Sequence, residues 1–301
     1  MRIIFMGTPE FAVPSLDRLV KAGYDIPYVV TVPDKPAGRG QQLRPSPIKI
    51  YAEANQIPVL QPEKLRDASF VATLEAIKPD LMVVVAFRML PEVIWKMPRL
   101  GTFNLHSSLL PQYRGAAPIN WAVINGEKNS GVTTFLIDEK IDTGNILLQH
   151  KTDIPDEWTA GELHDCLMET GADLVLDTVR GLESGSLHAV PQIHSLAVHH
   201  APKIFKEDCK INWGQPAQKV RNLIRGLSPY PAAWTTLQGK QLKIFFARLT
   251  GQFTDQPPGT ISSDKKTLLF ACQDQWLEIT DLQLEGKKRM KTEDFLRGFQ
   301  L

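Results

Sequence analysis

The chain opens on a continuous apolar run, "RIIFMG" (residues 2–7), which stops at a glycine. Similar runs return as "YVVTV" (28–32), "IPVL" (57–60), "DLMVVVAF" (80–87) and "GTFNLH" (101–106). Runs that are apolar at successive rather than alternate positions belong to strands covered on both faces. Helical spacing predicts helices between them, at 8–23, 47–55 and 68–77. In the first, Thr8 serves as cap, Pro9 takes the first position and Gly23 is the stop. Strand and helix in alternation give a parallel sheet with helices on both sides. "GVTTFLI" (131–137) continues that sheet, and the more polar "NILLQHKTDI" (145–154) adds a later, less buried strand. A long helix is predicted over 160–183, its start marked by Thr159 and Glu162 in capping-box spacing.

The texture then changes. Residues 192–205, "QIHSLAVHHAPKIF", have no clear period and read as a connection, with His199 and His200 as surface residues. A helix at 216–226 is followed by short strands, "AAWTTL", "KQLKIFFARL", "GTIS", "TLLFAC" and "WLEITDLQLEG". Turn signals such as "QGK" and "SSDKK" separate them, at spacings typical of a small barrel. "KTEDFLRGF" (291–299) is a last short helix. The pattern therefore predicts two domains, 1–191 and 206–301, joined by 192–205.

Composition changes this picture little. A chain of 301 residues is long enough for two cores, and 43% apolar with 22% charged residues is ordinary for a globular protein. The sequence has no N-terminal export pattern and no apolar run of about 18 residues, so a cytoplasmic, membrane-free protein is expected. Cys166, Cys209 and Cys272 are dispersed and lack metal-site spacing, which fits a reducing compartment and no metal. The net charge is +1, unevenly placed. Residues 206–301 hold 15 Lys/Arg against 10 Asp/Glu, and the remainder 19 against 23. This suits a polyanionic partner and a solvated surface equally well.

Candidate chemistry begins with exclusion. Gly7 follows a strand, but "GTPEFA" lacks the spaced glycines of a dinucleotide site, and no acidic residue ends "YVVTV". A dinucleotide-dependent oxidoreductase is therefore a poor reading. Asn104 and His106 lie where an apolar run ends, two apart, so their side chains share one face of an extended chain. Ligands of open parallel sheets bind beyond strand ends of this kind. Asn donates to a developing oxyanion without changing protonation, and His relays protons near neutrality. Asp142, in "EKIDTGNIL" beyond the neighbouring strand, is a carboxylate that could orient the histidine. With no nucleophile elbow, the trio suits acyl-type transfer to an external nucleophile. A hydrogen-bonded histidine at a strand end and a turn aspartate would leave the same letters. Spacing alone keeps both readings open.

The blocks "NLHSSLLPQYRGAAPINWAVINGE" and "GVTTFLIDEKIDTGNIL" resemble the folate-dependent formyltransferases. The resemblance runs from "RIIFMGTPEFAVPSL" to the closing "EDFLRG". It implies a Rossmann-like, doubly wound, mostly parallel α/β sheet followed by a smaller β-barrel, OB-like domain. It implies 10-formyltetrahydrofolate as donor and a primary amine as acceptor, with Asn104, His106 and Asp142 as the catalytic trio and no metal. Ser108, Leu109, Leu110 and Pro111 match the family's folate-binding loop. Arg88 and Leu90 match a segment lining the pterin pocket, although Phe87-Arg88 stands where many tRNA-acting members have Tyr-Gly.

The acceptor is read from the loop "PDKPAGRGQQLRPSPIK" (33–49). From residue 34 to 49 it carries Lys35, Arg39, Arg44 and Lys49 against Asp34. "PAGRG" is similar to the insertion with which tRNA-acting members hold an acceptor stem, Arg39 matching its key arginine. The resemblance thus implies formylation of methionine on initiator tRNA by a monomer. Lys35, Arg39 and Arg44 are the tRNA contacts, and 206–301 is the tRNA-binding domain. Arg221, Arg225 and "KKRMK" (287–291) are further phosphate-contact candidates. An amino-sugar N-formyltransferase using the same donor is the alternative. A non-catalytic RNA-binding protein on the same scaffold would not need the trio.

Overall fold

The computed structural model describes residues 1–37, 42–193 and 199–299. Its first elements are β1 (Arg2–Gly7), α1 (Val13–Lys21), β2 (Asp25–Val30), β3 (Lys35–Ala37), β4 (Gln42–Arg44), α2 (Pro47–Ala54), β5 (Val59–Leu60) and α3 (Ala68–Ile77). They are followed by β6 (Leu81–Val85), α4 (Glu92–Trp95), β7 (Thr102–His106), β8 (Arg114–Gly115), α5 (Pro118–Ile124), β9 (Asn129–Leu136), β10 (Ile146–Asp153) and α6 (Ala160–Ser184). The C-terminal part holds β11 (His200–Ala201), α7 (Ala217–Leu227), β12 (Ala233–Leu237), β13 (Lys240–Phe253), β14 (Ile261–Ser263), β15 (Leu268–Ala271), β16 (Gln275–Leu284), β17 (Met290–Lys291) and α8 (Thr292–Arg297).

Seven strands form one sheet in the order β10-β9-β7-β6-β1-β2-β5. β1 pairs in parallel with β2 and β6, β2 with β5, and β6 with β7. β6 is buried at every position, as its unbroken apolar run requires. One face closes over Ile4, Met6, Val30, Met82 and Val84 with Phe70 and Leu74 of α3. Asp67 caps α3 through the amides of Ser69 (2.9 Å) and Phe70 (3.3 Å).

The structure departs from the sequence pattern in several places. β9 runs antiparallel to β7, with His106 opposite Thr133 and Phe103 opposite Leu136. The chain leaves β7 and re-enters β9 from the same end, so no crossover helix is needed. Residues 33–49 contain a hairpin, with Lys35 paired to Arg44. Thr8 caps nothing. A 3₁₀ turn at Glu10–Ala12 precedes α1, whose N-cap Ala12 has no side-chain bond, and the Thr8 hydroxyl is buried with no partner among the described residues. The capping box at Thr159 forms as read, Glu162 accepting from the Thr159 amide at 2.8 Å.

Contacts divide the chain into two units that are not contiguous in sequence. One is Met1–Gly115, Gly131–Thr152 and His164–His200; the other is Ala116–Ser130, Asp153–Leu163 and Ala201–Leu301. The second unit holds an antiparallel sheet in the order β12-β13-β16-β15-β14, with β17 on β16. Its core gathers Ile224 and Leu227 of α7 with Ile244, Phe270, Leu277 and Ile279. Within that unit α5, which the sequence pattern did not reveal, meets α7 at Gly226. A Cβ there would stand 2.5 Å from Ile124 Cγ1. Among the described residues, no helix is long and apolar enough to cross a membrane.

Candidate active site

Parallel pairing of Gly7 with Val85, and of Val85 with Leu105, brings the carboxyl ends of β1, β6 and β7 to one sheet edge. Asn104 and His106 are at that edge. The Asn104 side chain is half-buried and has no hydrogen-bond partner among the described residues. His106 is 6% exposed. Its Nε2 lies 2.9 Å from the carbonyl oxygen of Tyr113. A carbonyl only accepts, so Nε2 carries the hydrogen, and in the neutral ring Nδ1 presents its lone pair. Nδ1 faces the Asp142 carboxylate at 3.8 Å. The tautomer is thus set by the Tyr113 backbone rather than by the carboxylate.

Asp142 reaches this position by a return of the chain. His106 pairs with Thr133, three residues before β9 ends at Leu136, so the following loop must come back by about 10 Å at strand rise. Two features hold it. Gly144 packs so closely that a Cβ would fall 1.7 Å from Leu136 O. Asp142 itself adopts φ 56°, in the left-handed region. The Gly115 amide donates to Asp142 Oδ2 at 2.9 Å.

The loop after His106 is anchored through β9. Thr133 Oγ1 donates to Ser108 O at 2.7 Å and accepts from the Leu110 amide at 3.1 Å. Gln149 Nε2 donates to Leu110 O and to Thr133 Oγ1, both at 2.9 Å. Ser108 and Leu110 are buried, whereas Leu109 and Pro111 are half-buried. Leu109 lies over Gly131, where a Cβ would meet its Cδ2 at 2.6 Å. On the β6 side, Arg88 donates to Pro62 O (2.7 Å) and Glu63 O (3.0 Å) and covers the Phe87 ring at 5.2 Å. Its Nε is buried with no partner among the described residues, and burial lowers the Arg88 pKa. Leu90 is in the core beside Ile94. The structure therefore brings Asn104, His106 and Asp142 together, with residues 86–90 leaving β6 at the level of His106.

The basic residues fare unevenly. Lys35 and Arg44 are exposed and paired across the hairpin, while Arg39 lies outside the described residues. Lys49 is engaged elsewhere, with Asp34 at 2.7 Å and Gln61 at 2.9 Å. Arg221 and Arg225, candidates for phosphate contact, are instead buried, 4% and 3% exposed. Arg221 pairs with Asp156 and Glu157, both at 2.9 Å, and Arg225 donates to Trp158 O at 3.0 Å. Of 287–291, Arg289 and Lys291 bind Asp281, and Arg289 also stacks on Phe245 at 4.2 Å. A basic residue in a helix or tail carries no mark in sequence of whether an acid from another segment will meet it. Tyr113, Thr133, Gln149 and Gln192 were missed for a similar reason. They act through backbone atoms or as polar residues inside ordinary strand and loop patterns.

The formyl transferase family model matches residues 1–179, and that of the formyl transferase C-terminal domain matches residues 203–300. The chain belongs to the formyl transferase family. It is 51% identical, over an alignment of 311 positions, to the methionyl-tRNA formyltransferase of Bacteroides fragilis, covering 100% of this chain and 96% of that one. The protein of the same name from Flavobacterium johnsoniae is 50% identical, with 99% and 96% covered. Among solved structures, the sugar 3N-formyl transferase WlaRD superposes with a TM-score of 0.69 at 22% identity, covering 96% of this chain and 99% of that one. HypX from Aquifex aeolicus, solved with tetrahydrofolic acid, gives 0.67 at 19% identity, with 98% of this chain and 47% of that one covered. These two likenesses concern the fold.

Proposed function

We propose that this protein transfers the formyl group of 10-formyltetrahydrofolate to the amino group of methionine on initiator methionyl-tRNA. What supports the acceptor is near-complete alignment, at about half identity, with relatives named for that activity. The observation that carries the chemistry is His106, held at Nε2 by a carbonyl and facing a carboxylate at Nδ1.

Nδ1 is the ring nitrogen left for the reaction. The unprotonated methionine amine attacks the formyl carbon, and the Asn104 amide donates to the oxyanion that develops. A proton leaving the attacking nitrogen is taken at Nδ1, where Asp142 stabilises the imidazolium, and is returned to the departing folate nitrogen. Ser108, Leu109, Leu110, Pro111, Arg88 and Leu90 form the donor's seat. The Thr8 hydroxyl and Arg88 Nε, near the same edge and without partners among the described residues, fit a polar ligand.

In this reading residues 1–191 are the catalytic domain and 192–205 the connection. Residues 206–301 serve as an OB-like tRNA-binding domain, and Lys35, Arg39 and Arg44 contact the tRNA. The enzyme works as a cytoplasmic monomer, and no step uses a metal. The test is transfer of labelled formyl from 10-formyltetrahydrofolate to charged initiator tRNA, run beside a nucleotide-linked amino sugar. Label in the sugar alone would replace this reading with the amino-sugar one, and label in neither would end both.

A further inference from the structure

We propose that Gln192 is a positioning residue that sets the Asp142 carboxylate against His106, an inference that rests on the catalytic reading above. Gln192 is 5% exposed, in a stretch whose sequence reads as a connection. Its Nε2 donates to Asp142 O at 3.0 Å and to Gly144 O at 2.8 Å, using both amide hydrogens. Its Oε1 accepts from Arg114 Nη2. The amide has one possible orientation, because two carbonyls can only accept and a guanidinium can only donate. Arg114 precedes Gly115, whose N–H holds Asp142 Oδ2. One side chain therefore links the loop that carries Asp142 to the segment that grips its carboxylate. That loop has a left-handed residue at Asp142 and must return toward His106, so its backbone carbonyls need fixed donors.

The decisive variant is Gln192→Glu, with Gln192→Ala beside it. Glutamate keeps the size and the bond to Arg114 but cannot donate to either carbonyl, so the fold is retained while the loop is released. If Gln192→Ala does not fold, Gln192→Glu alone decides. Two readouts are used. In steady-state formyl transfer, kcat should fall about 10- to 100-fold while KM for the folate donor and the tRNA stays within about threefold, as for a displaced catalytic group. In hydrogen exchange, the Gly115 amide should lose at least about tenfold of its protection, because its acceptor has moved. Ile193→Ala, at a neighbouring exposed position, should leave both unchanged.

Retained protection of Gly115 in Gln192→Glu would overturn the inference, as would lost protection with wild-type kcat. If the wild-type protein transfers no formyl group, the catalytic reading fails. Gly115 exchange then still decides whether Gln192 sets the Asp142 carboxylate.

Discussion

Asp142→Asn isolates the charge opposite His106. The amide oxygen can still accept from the Gly115 amide, so the 2.9 Å bond and the loop persist while the negative charge is lost. Both side chains are shielded, 7% exposed for His106 and 14% for Asp142, so water screens the pair little. At 3.8 Å and an effective dielectric of about 20, the bare Coulomb attraction between the carboxylate and a positive charge developing on the ring is at most about 4 kcal/mol. Where that attraction acts only once the ring carries the transferred proton, its loss lowers kcat by up to about 10³, and kcat/KM equally. Single-turnover formyl transfer to charged initiator tRNA measures the chemical step, and equilibrium binding of the folate donor should change by no more than about threefold. A variant within about fivefold of wild type in the single-turnover rate would refute the role of the charge. Unchanged chemistry with weakened folate binding would assign Asp142 to the donor's seat instead.

Gly144→Ala should reduce formyl transfer by about 10² or more, because its Cβ would fall on Leu136 O and the Asp142 loop must shift. The thermal midpoint, measured alongside, should move far less than the activity. Arg221→Ala should destabilise the protein by about 1–3 kcal/mol in urea unfolding. This is below the cost for a fully buried pair, since Asp156 and Glu157 are half-exposed or more and rehydrate. The salt dependence of its tRNA binding should match wild type, which a phosphate contact would not allow. Lys35→Ala with Arg44→Ala should weaken tRNA binding and lower its salt slope, leaving folate affinity unchanged. Burial alone would raise the Asp281 pKa, but Arg289 and Lys291 override it and hold the carboxyl below 3.8. Its stabilisation is therefore full above about pH 4 and lost as pH falls through the folded value. Urea midpoints taken down the pH scale should show that loss, and Asp281→Asn should remove its share of the slope.

Much of the site was legible from local pattern, and the reason is geometric. A strand fixes that residues two apart share a face, so Asn104 and His106 could be paired without a fold. Apolar runs at every position required a sheet covered on both faces, and β6, buried throughout, is such a strand. The Thr159 and Glu162 spacing specified its own capping bonds, because both partners lie within one turn. Asp142 could be nominated for its chemistry, but not placed. Its loop must double back along an antiparallel β9, and pattern alone read that strand as a continuation of the parallel sheet.

What the sequence determined by itself is therefore what depends on neighbours along the chain: strand and helix periods, the Thr159 capping box, and the shared face of Asn104 and His106. What only the tertiary structure decided depends on segments far apart in sequence. The carbonyl of Tyr113 chooses the His106 tautomer, and Gln192 ties the Asp142 loop from 50 residues away. Arg221 and Arg225 go inside because acids and carbonyls of 156–158 meet them there. A side chain's chemistry is written in its residue type. Its partner is supplied by packing, and no local pattern carries that information.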